Sequence, residues 1–297
     1  YGCQQPVGSY YTQQDIRTVV EYARIHGIRV IPELDVPAHA RSWGKGMPEL
    51  TCDCPKWVEK RSGGNPKGEY VVNVPLDVTN PKTLEVVKDV LEEIHALFPD
   101  PWIHLGGDEL PMECLVEATP SKSRKQLVAD IHSFESELKS FMKVRFNKTV
   151  ILWDDVDDLN GFDYGNAILD VWHRHKIPSY MDRKVPFIDT GNWYLDGVGC
   201  QTTSSCHKRP TKLEHPLTLG GEACAWELTE GACTSQEQGH ASRWERQFDR
   251  VVWKKLIGFA EAAWSHDSVR FGKDRATKVA RDLEVGLGLD AGTIEIS

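Results

Sequence analysis

Apolar residues recur along the chain at spacings that alternate between helical and strand-like. From Asp15 to His26 they return every three or four positions, after the capping residue type Thr12 and before Gly27, which predicts an amphipathic helix. The same spacing predicts helices over Thr83–Phe98 and Leu127–Phe146.

Short runs rich in β-branched and aromatic residues lie between the helices and predict strands. The six runs are Ile28–Pro32, Trp102–Leu105, Val150–Trp153, Ala167–Trp172, Val185–Ile188 and Leu217–Gly221. Strands that alternate with helices indicate βαβ units and a parallel sheet, and a closed barrel of eight strands would need two more. The Gly- and Pro-rich stretch between residues 42 and 80 has little periodicity and is interpreted as a long loop. No repeat and no linker divides the sequence, so we predict a single domain over residues 1–297.

Polar, aromatic or glycine residues follow each predicted strand. They are Glu33-Leu34-Asp35, Gly106-Gly107-Asp108-Glu109, Trp153-Asp154-Asp155, Trp172-His173, Trp193-Tyr194-Leu195-Asp196 and Glu222. In a (β/α)8 barrel the carboxyl ends of the strands form the active-site face. The pattern therefore predicts a functional site built from several strand ends.

The acidic pair Asp108 and Glu109 is the main candidate for catalysis. Neighbouring carboxylates on a regular strand point to opposite faces, but Gly106 and Gly107 allow the strand to break, so both can serve one pocket. In glycoside hydrolysis one carboxyl group protonates the leaving oxygen while a second stabilises the other side of the sugar. The alternatives are a solvated acidic turn and the GGDEF signature of diguanylate cyclases, in which Leu110 stands here for the Phe.

Tryptophans at strand ends are candidates for sugar binding. The apolar C–H faces of sugars stack on aromatic walls, while a few polar groups fix their orientation. For each side chain the alternative is core packing. The candidates are Trp153, Trp172, Trp193 and Trp226.

Four polar residues complete the candidate site. Tyr194 and Asp196 lie two positions apart, so they can face the same side of an extended segment and recognise an amide oxygen and sugar hydroxyls. Asp35 and His39 can share a proton or a hydrogen bond, with a structural role as the alternative. The segment His173-Arg174-His175 has no third ligand at suitable spacing, so we predict neither a metal nor a cofactor.

Charge and hydropathy exclude two classes of partner. The net charge is −9 and no basic patch exceeds a few residues, which argues against nucleic acid. No run approaches the roughly 18 consecutive apolar residues of a membrane span. The start, Tyr1-Gly2-Cys3-Gln4-Gln5, has neither the basic nor the apolar part of a signal peptide, so we interpret it as a processed or truncated end.

The cysteines indicate an oxidising compartment, with buried reduced thiols as the alternative. There are eight of them, and Cys200 and Cys206 flank a polar loop that a disulfide could close. The segment Cys52-Asp53-Cys54 is too tight for a zinc or redox motif. Asn147-Lys148-Thr149 fits the N-glycosylation acceptor pattern, which is consistent with secretion.

Taken in this order, the segments resemble glycoside hydrolase family 20, the β-N-acetylhexosaminidases, which include the lysosomal hexosaminidase subunits. The matching stretches run from about residue 9 to 265. They include Gly27 to Glu33, Asp35, Pro37, His39, Ser42 to Gly46, His104 to Glu109, Trp153, Val171-Trp172, Trp193 to Asp196 and Gly220 to Cys224. The resemblance implies a TIM (β/α)8 barrel of which this chain supplies about six of the eight strands.

The resemblance also implies a retaining, substrate-assisted mechanism, in which the acetamido oxygen of the substrate attacks its own anomeric carbon and forms an oxazolinium ion. Glu109 is then the general acid and later the base. Asp108 accepts the acetamido N–H, and Tyr194 donates to the acetamido oxygen. The remaining positions implied are the walls Trp153, Trp172 and Trp226, the hydroxyl-binding Asp196, the supporting Asp35 and His39, and a disulfide from Cys114 to Cys52 or Cys54.

Three departures from the family pattern bear on the expected function. Ala38 replaces the glycine of the usual Pro-Gly-His. In Trp226-Glu227-Leu228 the glutamate that normally binds the outer hydroxyls is displaced by one, so Glu227 substitutes for it or the contact is lost. The preference between glucosamine and galactosamine substrates stays open. The first two strands, which normally carry a substrate-binding Arg and an acidic residue, and an upstream small α/β domain are expected outside this chain.

The predicted substrate is a glycan that ends in a β-linked N-acetylhexosamine, and the predicted location is lysosomal or extracellular. We expect a companion polypeptide to supply the first barrel strands, and a homodimer and a heterodimer both stay open. The alternative function is a lectin-like extracellular protein that keeps the sugar pocket without turnover.

Overall fold

The computed structural model describes residues 10–63, 73–191, 193–195, 200, 202–207, 215–226, 252–264 and 272–288, and the single positions 292, 294 and 296. The described strands follow the order β1-β2-β3-β4-β5, with β1 and β2 parallel and β4 and β5 parallel. They are β1 (Trp102–His104), β2 (Thr149–Trp153), β3 (Ile168–Val171), β4 (Phe187–Asp189) and β5 (Thr218–Gly221). The predicted α/β fold with a parallel sheet is confirmed, and each of these strands overlaps its predicted run.

Helices occupy much of the rest of the described chain, and none of them combines the length and apolarity needed to cross a membrane. The α-helices are α1 (Gln13–Ile25), α2 (Trp43–Gly46), α3 (Pro55–Arg61), α4 (Pro81–Leu97), α5 (Met112–Ala118), α6 (Arg124–Phe146), α7 (Ile177–Asp182), α8 (Thr203–Cys206), α9 (Lys254–Trp264) and α10 (Lys273–Leu287). Short 3-10 helices occur at Pro48–Leu50, Asp154–Leu159 and Arg174–Lys176. Of these helices only α1, α4 and α6 were predicted.

The chain forms two compact units, Tyr1–Leu169 and Asp170–Ser297. The first contains α1 to α6 with β1 and β2, and the second contains β4, β5 and α7 to α10. The boundary falls within β3. A single catalytic domain over residues 1–297 stays a prediction.

The first unit is built around β1 and β2, which α5 and α6 connect along the chain. Ile103 pairs with Val150, and both side chains are buried, as expected of parallel strands that are covered on both faces. Leu91 of α4 and Leu138 of α6 are also fully or almost fully buried. The apolar stripe of each helix is therefore explained by burial in the core.

Two of the predicted helices begin at capping boxes. The Thr12 hydroxyl accepts the Asp15 N–H, and the Asp15 carboxylate accepts the Thr12 N–H. Ser123 and Gln126 make the same reciprocal pair at the start of α6. Each box satisfies two backbone donors that the first helical turn leaves without an acceptor. The predicted helices are confirmed to within about three residues at each end.

The predicted strand Ile28–Pro32 is displaced in the structure. Backbone pairing with β1 begins only at Pro32, whose carbonyl accepts the His104 N–H at 3.0 Å. The pairing continues when the Leu34 N–H donates to the His104 carbonyl, and the bridge itself lies at Glu33. Pro32 has no N–H of its own and can only accept here. The sixth sheet-like segment therefore exists, but it runs just beyond the residues that the β-branched pattern selected.

The interpretation of residues 42–80 as a long loop is wrong for much of the segment. It contains α2, a 3-10 helix and α3, and Thr51 bridges Leu76 in antiparallel sense. Disulfide Cys54–Cys114 holds the start of α3 against α5, so of the two partners that the family resemblance left open for Cys114 the structure selects Cys54. These short helices depend on long-range contacts, which a search for periodicity cannot detect.

The second unit contains the other described disulfide, Cys200–Cys206, which confirms the predicted loop closure. The Trp193 indole N–H donates to the Cys206 carbonyl at 2.8 Å, and the Trp193 side chain is fully buried. Cys52 is a buried free thiol, and the Cys224 side chain is also buried. Cys3 and Cys233 lie outside the described residues.

Candidate functional site

The backbone after β1 brings the two candidate carboxylates to one side. The backbone φ angles of Gly106, Gly107 and Glu109 are +68°, +95° and +49°. Residues other than glycine rarely adopt positive φ angles. This left-handed stretch ends the strand alternation that would separate neighbouring side chains. As a result, Asp108 Oδ2 and Glu109 Oε2 lie 3.5 and 3.4 Å from the same atom, His39 Nε2.

Gly106 allows the segment that carries Asp35 to lie directly against the end of β1. A Cβ at position 106 would lie 2.0 Å from Asp35 Oδ1 and 2.7 Å from Asp35 Cα. The Gly107 N–H donates to Asp35 Oδ1 at 3.3 Å, and the Val36 N–H donates to the Leu105 carbonyl at 3.1 Å. The predicted supporting residue Asp35 therefore joins the acidic pair.

His39 is held in place by a residue that the sequence did not identify. The His39 N–H donates to Asn73 Oδ1 at 3.1 Å, and Asn73 Nδ2 donates to the Glu109 carbonyl at 2.7 Å. Asn73 thus links the backbones at His39 and Glu109. The Glu109 N–H in turn donates to Asp155 Oδ1 at 3.3 Å, just beyond β2.

The charges of this cluster are strongly coupled. Although burial favours neutral imidazole, the neighbouring carboxylates of Asp108 and Glu109 raise the pKa of His39 to about 10. Burial, reinforced by the Asp108 charge, raises the pKa of Asp35 to about 8. The ion pair with His39 lowers the pKa of Glu109. At neutral pH the cluster therefore holds a cationic His39, a protonated Asp35 and an ionised Glu109.

A layer of aromatic and polar side chains lies behind the carboxylates. The Trp153 indole N–H donates to Glu33 Oε1 at 2.9 Å, and the Trp153 ring lies 4.9 Å from that of His104. Burial lowers the pKa of His104 to about 3, so this imidazole is neutral, and its Nδ1 accepts the Gly106 N–H at 3.0 Å. The glycine turn is thus held from below by a neutral histidine.

Asp35, His39 and Asp108 also satisfy a distance criterion for a metal site, because their ligand atoms lie within 4.8 Å of one another. A histidine binds metal only as the neutral imidazole. The raised pKa of His39, due to its carboxylate partners, therefore favours an ion-paired cluster over a metal centre.

The candidates of the second unit also lie at strand ends. The Trp172 ring lies 3.8 Å from that of His173, directly after β3. Tyr194 bridges Cys224 in parallel sense, and Trp226, 41% exposed, follows two residues later. Asp196 and Glu227 lie outside the described residues.

The structure separates the tryptophan candidates by environment. Trp193 is fully buried and its indole N–H is bound by a backbone carbonyl, so it is a core residue. Gly221 gives the ring its space, since a Cβ there would lie 2.1 Å from Trp193 Cζ3. Trp153 is almost fully buried as well, whereas Trp172 is partly exposed.

Four residues that contact the candidate site were not predicted to do so, and most of their contacts join distant parts of the chain. They are Glu33, Asn73, His104 and Asp155. Glu33 and Asp155 were named among the polar residues that follow strands, but that position alone could not assign them a partner. Asn73 follows a segment without periodicity and carried no signal.

Comparison with known proteins identifies the family. The family model described as glycosyl hydrolase family 20, catalytic domain, matches residues 2–267. β-Hexosaminidase subunit A1 of Dictyostelium discoideum is 31% identical over 273 residues, which cover 87% of this chain and 48% of that protein. The human β-hexosaminidase subunit beta is 30% identical over 297 residues, which cover 92% of this chain and 49% of that protein.

Solved structures agree at the level of the fold. The crystal structure of a β-N-acetylhexosaminidase from Bacteroides fragilis superposes with a TM-score of 0.72 at 23% identity, and covers 96% of this chain and 58% of that chain. The likeness confirms the predicted partial barrel. The chain spans about half the length of the sequence relatives that it matches.

Proposed function

This chain belongs to glycosyl hydrolase family 20, and on that premise we propose that the protein hydrolyses terminal β-linked N-acetylhexosamine from glycans. The observation that carries the proposal is the convergence of Asp108 and Glu109 on His39. Two carboxylates on one side of a strand end suit glycoside chemistry, whereas a solvated acidic turn would not require a shared, partly buried partner.

The proposed reaction proceeds in two steps with the substrate's own acetamido oxygen as nucleophile. This oxygen forms a bond to the anomeric carbon as the glycosidic bond breaks, and Glu109 gives its proton to the leaving oxygen. Glu109 then takes a proton from water, which opens the oxazolinium ion and restores the β configuration. The Glu109 side chain is 57% exposed and can reach the leaving oxygen, while Asp108, 18% exposed, lies deeper.

We assign the remaining predicted residues to binding. Asp108 accepts the acetamido N–H, and Tyr194 donates to the acetamido oxygen. Asp35 and His39 support the acidic pair. The walls are assigned to Trp153, Trp172 and Trp226, and the outer hydroxyls to Asp196 and Glu227.

The compartment and the assembly are also proposals. Disulfides Cys54–Cys114 and Cys200–Cys206 support a lysosomal or extracellular location. Several relatives are named as subunits, which supports a homodimer or heterodimer for this protein. The strands that complete the barrel, from a companion polypeptide as predicted, belong to the same proposal.

The test compares two aryl β-glycosides that differ only in the acetamido group. We expect the full-length protein to hydrolyse the nitrophenyl N-acetyl-β-glucosaminide at least about 10³-fold faster than the nitrophenyl β-glucoside, because an intramolecular nucleophile has an effective molarity of about 10⁵–10⁸ M. Proton NMR should show retained configuration in the first-formed sugar. Equal rates on the two glycosides, or an inverted product, would contradict the proposed mechanism.

The charge of His39 predicts an acid pH optimum. Glu109 must carry its proton to act as the general acid, and His39 lowers its pKa, so kcat/KM is present below that pKa and is lost as pH rises through it. In His39→Gln the cation is removed and the Glu109 pKa returns toward its ordinary value. We therefore expect the alkaline limb of the kcat/KM profile to move to higher pH, and an unmoved limb would show that another group controls it.

A further inference from the structure

A cavity of about 680 Å³ opens beside Glu109 in the first unit. Helix α3 forms one wall with Lys56, Lys60 and Arg61, and Asn73 and Glu109 form part of the other. The volume lies within the range of about 300–1,000 Å³ that is typical of small-molecule sites. It is sufficient for a sugar unit.

The cavity lies on the leaving-group side of the acid, an argument that rests on the proposed function. Asp108 is assigned to the acetamido group of the sugar that is cleaved off. Glu109 lines the cavity, whereas Asp108 and Asp35 do not. Since a general acid stands between the cleaved sugar and the leaving group, the space beyond Glu109 receives the leaving group.

Three cations face this space without ion-pair partners among the described residues, in a chain whose net charge is −9. Lys56 and Lys60 stand four positions apart on α3, an arrangement of like charges that destabilises a helix. The Arg61 guanidinium lies 5.8 Å from the centre of the Trp57 ring, and its charge contributes to the lowered pKa of Glu109 after that of His39.

Two of the three carboxylates that line the cavity are engaged elsewhere. Glu117 accepts the backbone N–H groups of Lys56 and Trp57 at 2.8 and 2.9 Å, which caps α3. Glu109 is paired with His39. Glu113 is the third carboxylate that lines the cavity, so one carboxylate without such a contact faces three cations.

The cations are mounted on a fixed element. Disulfide Cys54–Cys114 and the Glu117 cap hold the first turn of α3, and Trp57 is buried in the adjoining core. A charged group on an anchored helix loses less freedom on binding than one on a free loop. Lys60 and Arg61 also stand in the last helical turn, where cations favour the helix dipole, so stability must be measured separately.

We propose that Lys56, Lys60 and Arg61 form a leaving-group subsite that selects substrates whose penultimate sugar carries an anionic substituent, a carboxylate or a sulfate. The three cations attract the anion across the cavity while Glu109 protonates the bridging oxygen. Neutral substrates use the same catalytic groups without this attraction.

The experiment measures kcat/KM of the full-length protein on three disaccharides in which N-acetylglucosamine is β-linked to glucuronic acid, sulfated glucose or glucose. We expect acidic substrates to be preferred about tenfold, because each exposed charge pair contributes about a 1.4- to 5-fold preference. The preference should fall as salt is raised. The uronic and sulfated arms show which anion the subsite accepts better.

The variant Lys56→Gln, Lys60→Gln, Arg61→Gln should bring the ratio of acidic to neutral kcat/KM close to one. The ratio is the readout, because loss of the Arg61 charge acts on the Glu109 pKa and therefore on both kinds of substrate alike. The matched control, Arg124→Gln, Lys125→Gln, Lys143→Gln, removes three exposed cations of α6 that do not line the cavity, and should keep the preference. If thermal unfolding shows that the first variant is destabilised, Lys56→Gln with Lys60→Gln keeps Arg61 over Trp57. A wild-type ratio near one, or a ratio that the cavity variant leaves unchanged, overturns the proposal.

Binding distinguishes this inference from the proposed function. The dissociation constants of the same disaccharides are measured by calorimetry with Glu109→Gln, alone and combined with the cavity substitutions. If the protein hydrolyses none of the three disaccharides, the hydrolase proposal is contradicted. A tenfold tighter binding of the acidic disaccharides that is lost when the three cations are replaced would still support the subsite. Equal dissociation constants would contradict it.

Discussion

Replacing Glu109 with Gln is expected to lower kcat about 10²–10⁴-fold on a disaccharide, because the amide cannot donate a proton to the leaving oxygen. The substitution preserves the size of the side chain and the backbone contacts to Asn73 and Asp155. The loss in the first step should be smaller for a nitrophenyl glycoside, whose leaving group needs less protonation. Steady-state rates on both substrates, with a pre-steady-state burst on the aryl glycoside, measure the difference.

The matched control is Glu85→Gln, an exposed glutamate of α4, which should retain the wild-type rate. A Glu109→Gln protein as active as the wild type would exclude Glu109 as the general acid. If the wild type binds the sugar but releases no more product than the variant, the protein is a glycan-binding relative without turnover. The lowered pKa of Glu109, caused first by His39, is the observation that favours this alternative at neutral pH.

Gly106→Ala is expected to destabilise the protein by about 2–5 kcal/mol. A left-handed φ of +68° costs a residue with a side chain roughly 1–2 kcal/mol, and forced overlap in a packed region costs about 1–3 kcal/mol more. The added Cβ would lie 2.7 Å from the Asp35 Cα, so backbone must move. We expect the Asp35 segment to separate from the end of β1, with loss of activity. Urea unfolding followed by circular dichroism measures the change.

Gly27→Ala is the control that separates the cost of the positive φ angle from the cost of the overlap between position 106 and Asp35. Gly27 has a similar φ of +74° after α1, but a Cβ there meets nothing within 4 Å. The variant should therefore lose only the conformational part, roughly 1–2 kcal/mol, and remain active. Equal destabilisation by the two substitutions would show that contact between positions 106 and 35 contributes nothing.

Local sequence determined the elements whose stability is local. Helix α1 was predicted from its capping residue and apolar stripe, and α6 from the spacing of its apolar residues alone, because these signals lie within a few positions of each other. The strands were found because a buried parallel strand is a short apolar run whatever it pairs with. The polar residues after those runs, including Asp108 and Glu109, marked the candidate face for the same reason.

In residues 42–80 the local sequence pattern did not predict the structure. Helix α3 has only seven residues, too few to be stable alone, and it is held by Cys114 and Glu117 from far along the chain. Asn73 links His39 to Glu109 across 34 and 36 positions. No periodic pattern encodes such pairs, because their partners are chosen by the fold.

The prediction of the acidic pair needed only the sequence, whereas its geometry needed the tertiary structure. By itself the sequence determined that two carboxylates follow two glycines at the end of a buried strand, since residue types and spacing are sufficient for that. Only the tertiary structure decided that both carboxylates turn toward His39 and that Asp35 lies against Gly106. It also decided that three cations of α3 face the same acid. Those relations depend on positive φ angles and on contacts between distant segments, which exist only when the chain is packed.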